Sequence, residues 1–551
     1  MSDYQQQTQQ SSWGSGNLDD SPIYERVESF SGGEDSFRRS TLIDPDQSQH
    51  LLNVIVRENF DARTRPGADA LSGAAIDAGI VQGLRFFQKP TSGSQLSQLI
   101  AGCNGKTWKW DGATWTQLSA WSPHADDNRL AMEQGIDTLL ISDGVGIAQI
   151  WDGTNFKAGD TISIDNAHDN IGNPGQNCPI GASILCWHTS RMFASGVALY
   201  SDTIYVSNLL AFSAGKWNAT TRSFQVGTGD GQPIMALASM QNFTLCVFKS
   251  NSVWLLNTDP ASDATGVAGV SGWTAVQAGA ITDGIGIVGR DAWCNYENDI
   301  LFMAQDGVRS VQRMQAAAGQ WQLTTPLSQP IQPLIDRINR NYWHKIQAVK
   351  YAEFAFFFVP LDSSLTNNFV LVWNGRLGKW CGAWSNWSGL SVEVTRFNNI
   401  QKLVFGDDTG KVNEWKDSES ITEDSTYLDN AVGYPTQVWS RSFVGGDLIC
   451  DKSAFSTTLR FTYGNAVVNM TWVADLSEVR TWSANPHPSG DILGEALLPF
   501  LLSTVFPITV KRGLRGTPDF NEAYLKIESK EGWFSLRNIT VGSFTNPIRE
   551  S

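Results

Sequence analysis

Charge is scarce in this chain. Only 17% of its 551 residues are Asp, Glu, Lys or Arg, below the roughly one quarter usual in soluble domains. What charge there is leans acidic, with 55 Asp and Glu against 40 Lys and Arg and a formal net charge of −15. A basic nucleic-acid groove across the whole protein is therefore not expected, and an acidic surface repels phosphates. Histidine is rarer still. His50, His124, His168, His188, His344 and His487 include no metal-spaced pair and no HExxH. There is no GxSxG elbow and no Walker loop. The cysteines (Cys103, Cys178, Cys186, Cys246, Cys294, Cys381 and Cys450) are odd in number and form no CxxC. Neither a disulfide framework nor a structural zinc site is expected of them. Most lie among apolar residues, as thiols buried in a reducing compartment do. No apolar run is long enough to cross a bilayer, and the first thirty or so residues are too polar for a signal peptide. These absences leave an enzyme, a cofactor or a metal centre without support.

Glycine and tryptophan, by contrast, are abundant, at 50 and 22 residues. Many turns with many aromatics suit an all-β protein. Two stretches carry one pattern. Leu99-Ile100-Ala101-Gly102-Cys103-Asn104-Gly105-Lys106-Thr107-Trp108-Lys109-Trp110 and Leu403-Val404-Phe405-Gly406-Asp407-Asp408-Thr409-Gly410-Lys411-Val412-Asn413-Glu414-Trp415 are each a strand, a Gly turn with Asn or Asp, and a strand ending in Trp. Gly supplies the positive φ that a hairpin turn demands, and Asn and Asp tolerate it. Gly102, Gly105, Trp110, Gly406, Gly410 and Trp415 are thus the structural residues of a repeated hairpin. Weaker copies begin near 139, 192, 245, 300 and 354. Intervals of about 40 to 55 residues match a four-stranded propeller blade with insertions. The expectation is a β-propeller of about seven blade-like units.

Around those repeats the composition divides the chain. Residues 1–40 are rich in Gln, Ser, Gly and Asp and read as an arm that orders on a partner. Residues 41–75 hold a strand at Leu51–Val56 and a Pro66-Gly67 turn, a platform segment. Residues 76–425 are the propeller, and 426–551, with alternating strands, a β-sandwich-like module or strands completing the platform. Within the propeller, Ile331, Leu334, Ile335 and Ile338 fall at helical spacing, with Pro330 and Pro333 in the first turn. The stripe either packs on neighbouring blades or docks another subunit. Gly284-Ile285-Gly286-Ile287-Val288-Gly289 matches GxGxxG, but a strand follows where a dinucleotide site needs a helix. Asp165, Asp169 and Asn173 could share a Ca²⁺ from one loop, yet the EF-hand pattern is absent. Asp111-Gly112-Ala113-Thr114-Trp115 resembles the Asp-box turn of sialidases. A sialidase would add an arginine cluster and a Tyr nucleophile at the axis.

Arg57, Arg63 and Arg65 are densely spaced in an acidic chain. They are either a solvated turn or forks onto carboxylates of a neighbouring subunit. The strand from Asn53, with Glu58-Asn59 and Arg65-Pro66-Gly67, resembles the start of the tail nozzle proteins of short-tailed bacteriophages. Pro326-Leu327-Ser328-Gln329-Pro330-Ile331-Gln332-Pro333-Leu334-Ile335, Ile346-Gln347-Ala348-Val349-Lys350-Tyr351, Trp373-Asn374-Gly375-Arg376 and Phe405-Gly406 to Trp415 continue the family's order. The likeness spans roughly residues 40 to 425. It implies a virion tail protein assembled in the host cytoplasm. The partners it implies are five further copies in a homohexameric ring, the portal and adaptor complex and, as a further option, tail fibres. Double-stranded DNA would cross the ring unread during ejection, past a wall whose acidity keeps phosphates from sticking. A glycan- or receptor-binding propeller is the alternative, and a sialidase-type hydrolase a third.

Overall fold

The structure is a computed structural model that describes residues 22–119, 121–123, 129–156, 178–213, 217, 223–241, 243–258, 276–317, 325–417, 424–445, 451–485 and 508–545. The arm to residue 21, the loop holding Asp165, Asp169 and Asn173, and His124, His168, His487 and Cys450 lie outside the described residues.

Repeated turns cut the chain into small antiparallel sheets. Ser94–Cys103 and Lys106–Trp110 pair around Asn104 and Gly105, whose φ values of 50° and 67° are the two left-handed residues a tight hairpin requires. Val81–Thr91 before them and Trp115–Leu118 after them complete a four-stranded meander. Further meanders follow in chain order, beginning at Ala131–Gly135, Ile184–His188, Ile234–Ser239, Trp293–Tyr296, Gln347–Tyr351 and Ser391–Phe397. The hairpin starts near 99, 139, 192, 245, 300, 354 and 403 fall on the second strand of each meander in turn. All of the first strands line one cavity of about 530 Å³. The protein is all-β, with small sheets set round a common axis as in a β-propeller.

One strand comes from an unexpected place. Ala68–Ala70, in the segment assigned above to the platform, pairs with Val412–Trp415 as the outer strand of the last meander. The rest of that segment joins the far end of the chain. Ala62–Thr64, together with Ile23–Val27 from the stretch assigned above to the arm, lies along one edge of Phe534–Thr545 in a six-stranded sheet with Lys452–Gly464, Ile508–Gly513 and Val54–Ile55. Gln47–Leu52 pairs with Thr436–Ser440 and, through Leu52 opposite Ala383, with Lys379–Ser385 of a meander. Ring and platform strands thus run on in one ten-stranded sheet.

The helical stripe is shorter than its spacing suggests. Gln329–Ile331 is a 3-10 turn and Gln332–Asp336 a single α turn. Pro330 and Pro333 lack the N–H donors that a longer helix would use. Ile331, Leu334, Ile335 and Ile338 are nonetheless buried, packed in one cluster with Phe357, Leu361 and Trp380, so the stripe faces this chain's own sheets. A second helix, Val311–Ala317, was not anticipated. The GxGxxG stretch links strand Val276–Asp283 to strand Trp293–Tyr296. A Cβ on Gly286 would sit 2.1 Å from the Lys249 carbonyl oxygen, so that glycine serves close backbone packing.

Gly410 is the most demanding of the hairpin glycines. Its φ is +81°, and a Cβ there would lie 1.8 Å from the Asp77 carbonyl oxygen. Gly410→Ala is expected to lower stability by at least about 1–3 kcal/mol, measured by urea unfolding. Gly513→Ala, where nothing lies within 4 Å and φ is not positive, should stay within about 0.5 kcal/mol of wild type.

Candidate functional site: an arginine clamp beside an axial cavity

Residues 53–67 cross from the platform strands to the ring, and their arginines face inward. Arg65 is 0% exposed. Its Nε donates to Asn53 Oδ1 at 3.0 Å, Nη1 to Asp429 Oδ1 at 3.0 Å and the Pro66 carbonyl at 3.1 Å, and Nη2 to Asp429 Oδ2 at 2.6 Å and the Ser385 carbonyl at 2.9 Å. That uses all five donors of the guanidinium. The plane also lies 3.9 Å from the Tyr434 ring centroid and 4.8 Å from that of Trp387. Asp429 accepts in addition from Ala68 N at 3.0 Å and Trp387 Nε1 at 3.1 Å. A charge taken out of water holds only when every polar atom is satisfied, and here both ions are.

The expectation of a subunit contact therefore needs correction at Arg65, which has neither exposure nor a spare donor. Arg57 bonds Asp417 and lies 3.4 Å from Glu353, and Arg63 donates to the Tyr427 hydroxyl, all within the chain. The hairpin residues are structural in detail. A Cβ on Gly102 would meet Leu130 at 2.2 Å, and one on Gly406 would meet Val81 at 2.4 Å. Gly105 supplies the left-handed turn position. Trp110 packs against Trp115 at 5.3 Å. Buried Trp415 touches Phe356 and Trp384, both at 5.6 Å, and its Nε1 donates to the Pro66 carbonyl. Asp111 accepts from Ala113 N and Thr114 N, so the Asp-box sequence is a capped turn.

The cavity holds the densest charge that sequence reasoning missed. Arg85 sits 2.8 Å from Glu133 and 3.5 Å from Glu393. Burial raises the pKa of both carboxyls, and Arg85 opposes the shift. Arg290, also on the lining, spans the carbonyls of Arg129, Leu130 and Ser183 and pairs with Asp291 at 2.8 Å. Burial pushes the Asp291 pKa up, but Arg290 and Arg129 outweigh it and leave the carboxyl below its usual range. Cys294, on the lining, is pushed up to about 12 by burial, so its thiol stays neutral. Three arginines thus face the axis, but no tyrosine is among the described lining residues, and each arginine engages carboxylates or carbonyls of the chain itself. Chemically the set cross-braces neighbouring first strands.

At the joint of the two halves, Glu34 is buried beside Leu51. Its Oε2 accepts from Leu51 N at 2.9 Å, and its Oε1 has no hydrogen-bond partner among the described residues. Burial raises this carboxyl to about 8, and burial likewise lowers His50, 4.0 Å away, to about 4. Both are neutral at pH 7.

A scan against protein-family models finds no match, and a search of the curated proteins finds none. Among solved structures, the N-terminal part of BBS1 in complex with ARL6 is similar at 10% identity over 64% of this chain and 96% of that one, with a TM-score of 0.38. BamB from Moraxella catarrhalis is similar at 12% identity over 66% and 96%, with a TM-score of 0.33. A computationally designed protein, Ika8, gives 12%, 62%, 98% and 0.35. Likenesses this distant carry no argument about function.

Two outcomes test the joint. Asp429→Ala leaves the Arg65 charge buried and unpaired and is expected to cost about 3–5 kcal/mol in urea unfolding. For Glu34, the folded pKa lies above the unfolded one, so between them the folded state holds a proton that the unfolded state has lost, and stability falls as pH rises. His50 and His188, both lowered to about 4, act in the opposite direction only below about pH 6.5. Thermal melts from pH 6.5 to 8 should therefore decline in wild type and flatten in Glu34→Gln.

Proposed function

We infer that the chain is a structural virion protein, the tail nozzle subunit of a short-tailed phage. In this reading the six separate small sheets among the described residues and the Gln347–Ser385 stretch of the ten-stranded sheet make seven blades. Ala68–Ala70 closes the ring by pairing across the last blade, and the N- and C-terminal strands make the platform. The observation that carries the reading is the way the two halves are joined. A ring braced by ion pairs at its axis is locked to a second β body through a shared sheet and a buried arginine. A wall that must hold its shape while DNA passes has use for such a joint. The order of motifs that resembles the nozzle family supports the same reading, and the net charge of −15 suits a surface to which phosphates should not stick. A propeller that stacks glycans on tryptophan would instead present indole faces to solvent, and no described tryptophan is exposed.

Negative-stain electron microscopy tests the reading, on the purified chain alone and mixed with its portal and adaptor complex. The expected result is six-fold rings with a central channel, formed alone or on the complex. Monomers that ignore the complex would contradict it, and glycan-array binding would then favour the receptor-binding alternative.

A further inference from the structure

The six-stranded sheet turns one face to the core and leaves the other without a cover among the described residues. Val27, Leu459, Ile539, Val541 and Val510 point inward and are buried. The outward face carries an aromatic ledge. Tyr24 is 55% exposed and Phe544 38% exposed. Phe455 bridges them, with ring centroids 5.8 Å from Tyr24 and 4.8 Å from Phe544. It can do so because Gly542 lies beneath it, where a Cβ would be 2.4 Å from the ring. One step along the strands the face turns basic. Arg26 lies opposite Thr540, Thr540 opposite Thr458, and Thr458 opposite Lys511, a row across four strands. Arg460, the next outward position on its strand, is exposed, as is Lys511. The Arg26 side chain is 61% exposed and lies 3.9 Å from Glu28. The strand Ile23–Val27 pairs only with Phe534–Thr545 among the described residues, so its other edge has no ladder partner there.

Exposed Tyr and Phe beside Arg is the composition of the core of a protein interface rather than of free surface. Three cations on one face of a chain with net charge −15 also say what the face fits. The chain as a whole carries a net negative charge, so a second copy, meeting this face with a different and acidic one, is complementary in charge. Such a contact is heterologous, and repeated through a closing rotation it makes a ring. We propose that the outward face of the six-stranded sheet, with its Tyr24–Phe455–Phe544 ledge and the Arg26, Arg460 and Lys511 cations, is the surface on which a second copy of this chain docks. The proposal builds on the ring-forming reading above and names the face that reading leaves open.

The test is sedimentation velocity of the full chain across a concentration series, for wild type, Arg26→Glu/Arg460→Glu, and Lys511→Glu as a milder variant should the double change fail to fold. The expected result is self-association weakened about tenfold or more by charge reversal at this interface, with melting temperature unchanged. Rings of undiminished affinity in folded variants would overturn the docking face and leave the nozzle reading intact. Non-ring dimers lost on charge reversal would support the face and count against the nozzle. Wild type that stays monomeric, alone and with the portal and adaptor complex, would overturn both. Oligonucleotide binding lost in the variants while self-association persists would also overturn the proposal and make the face a nucleic-acid surface.

Discussion

A guanidinium with no access to water must be answered at every N–H, and the layout of this protein follows from the answer given to Arg65. Its five donors draw together Asn53 and Pro66 from the crossing segment, Ser385 from the ring, and Asp429 from the first turn of the platform's C-terminal portion. The same Asp429 fixes the Ala68 amide and the Trp387 indole. Ala68 opens the strand that pairs with the last meander, so the position of that strand is set by the ion pair beside it. Moving either charge would leave the other buried and unpaired, a state that costs far more than the pair contributes.

Packing then does what the ion pair alone could not. Trp384, Trp387, Trp415, Phe356, Phe358 and Phe405 belong to one buried cluster with Val438, Leu459, Ile527 and Ile539 of the platform. Ring and platform therefore share a core rather than abutting as two domains. Large rigid rings fill such a space with little loss of rotamer freedom, and their edge-to-face contacts add directionality. The indole N–H groups, which would be costly if unmet, find carbonyl or carboxylate oxygens: Trp384 on Val54, Trp415 on Pro66 and Trp387 on Asp429. At the axial cavity, ion pairs tie neighbouring first strands to one another.

How far the sequence could be read follows the range of the interactions. Turn chemistry is local, so Asn104-Gly105 and Asp407 to Gly410 announce their hairpins in a few residues, and the second strands near 139, 245 and 300 follow from such signals, while those near 192 and 354 are legible only as apolar runs. The helical stripe at 331–338 was legible as buried but not as short, because two prolines limit a helix that periodicity alone would extend. The arginine cluster was visible as a cluster. Its meaning was not, because Asp429 lies 364 positions from Arg65 and nothing near either residue marks the partner. The strand Ala68–Ala70 was misassigned for the same reason, since its partners stand more than 300 residues on. The axial set of Arg85, Glu133 and Glu393 was missed because each residue is alone in its own strand, and only closure of the ring brings the three together.

The central claim is that Arg65 and its partners make ring and platform one cooperative body. Differential scanning calorimetry of wild type and Arg65→Lys tests it most directly. Lysine keeps the charge but loses the planar fork and the ring stacking. The account predicts one transition in wild type, with calorimetric and van't Hoff enthalpies equal, and two separated transitions in Arg65→Lys as the halves uncouple. Two transitions already present in wild type, or an Arg65→Lys profile that superimposes on it, would contradict the account.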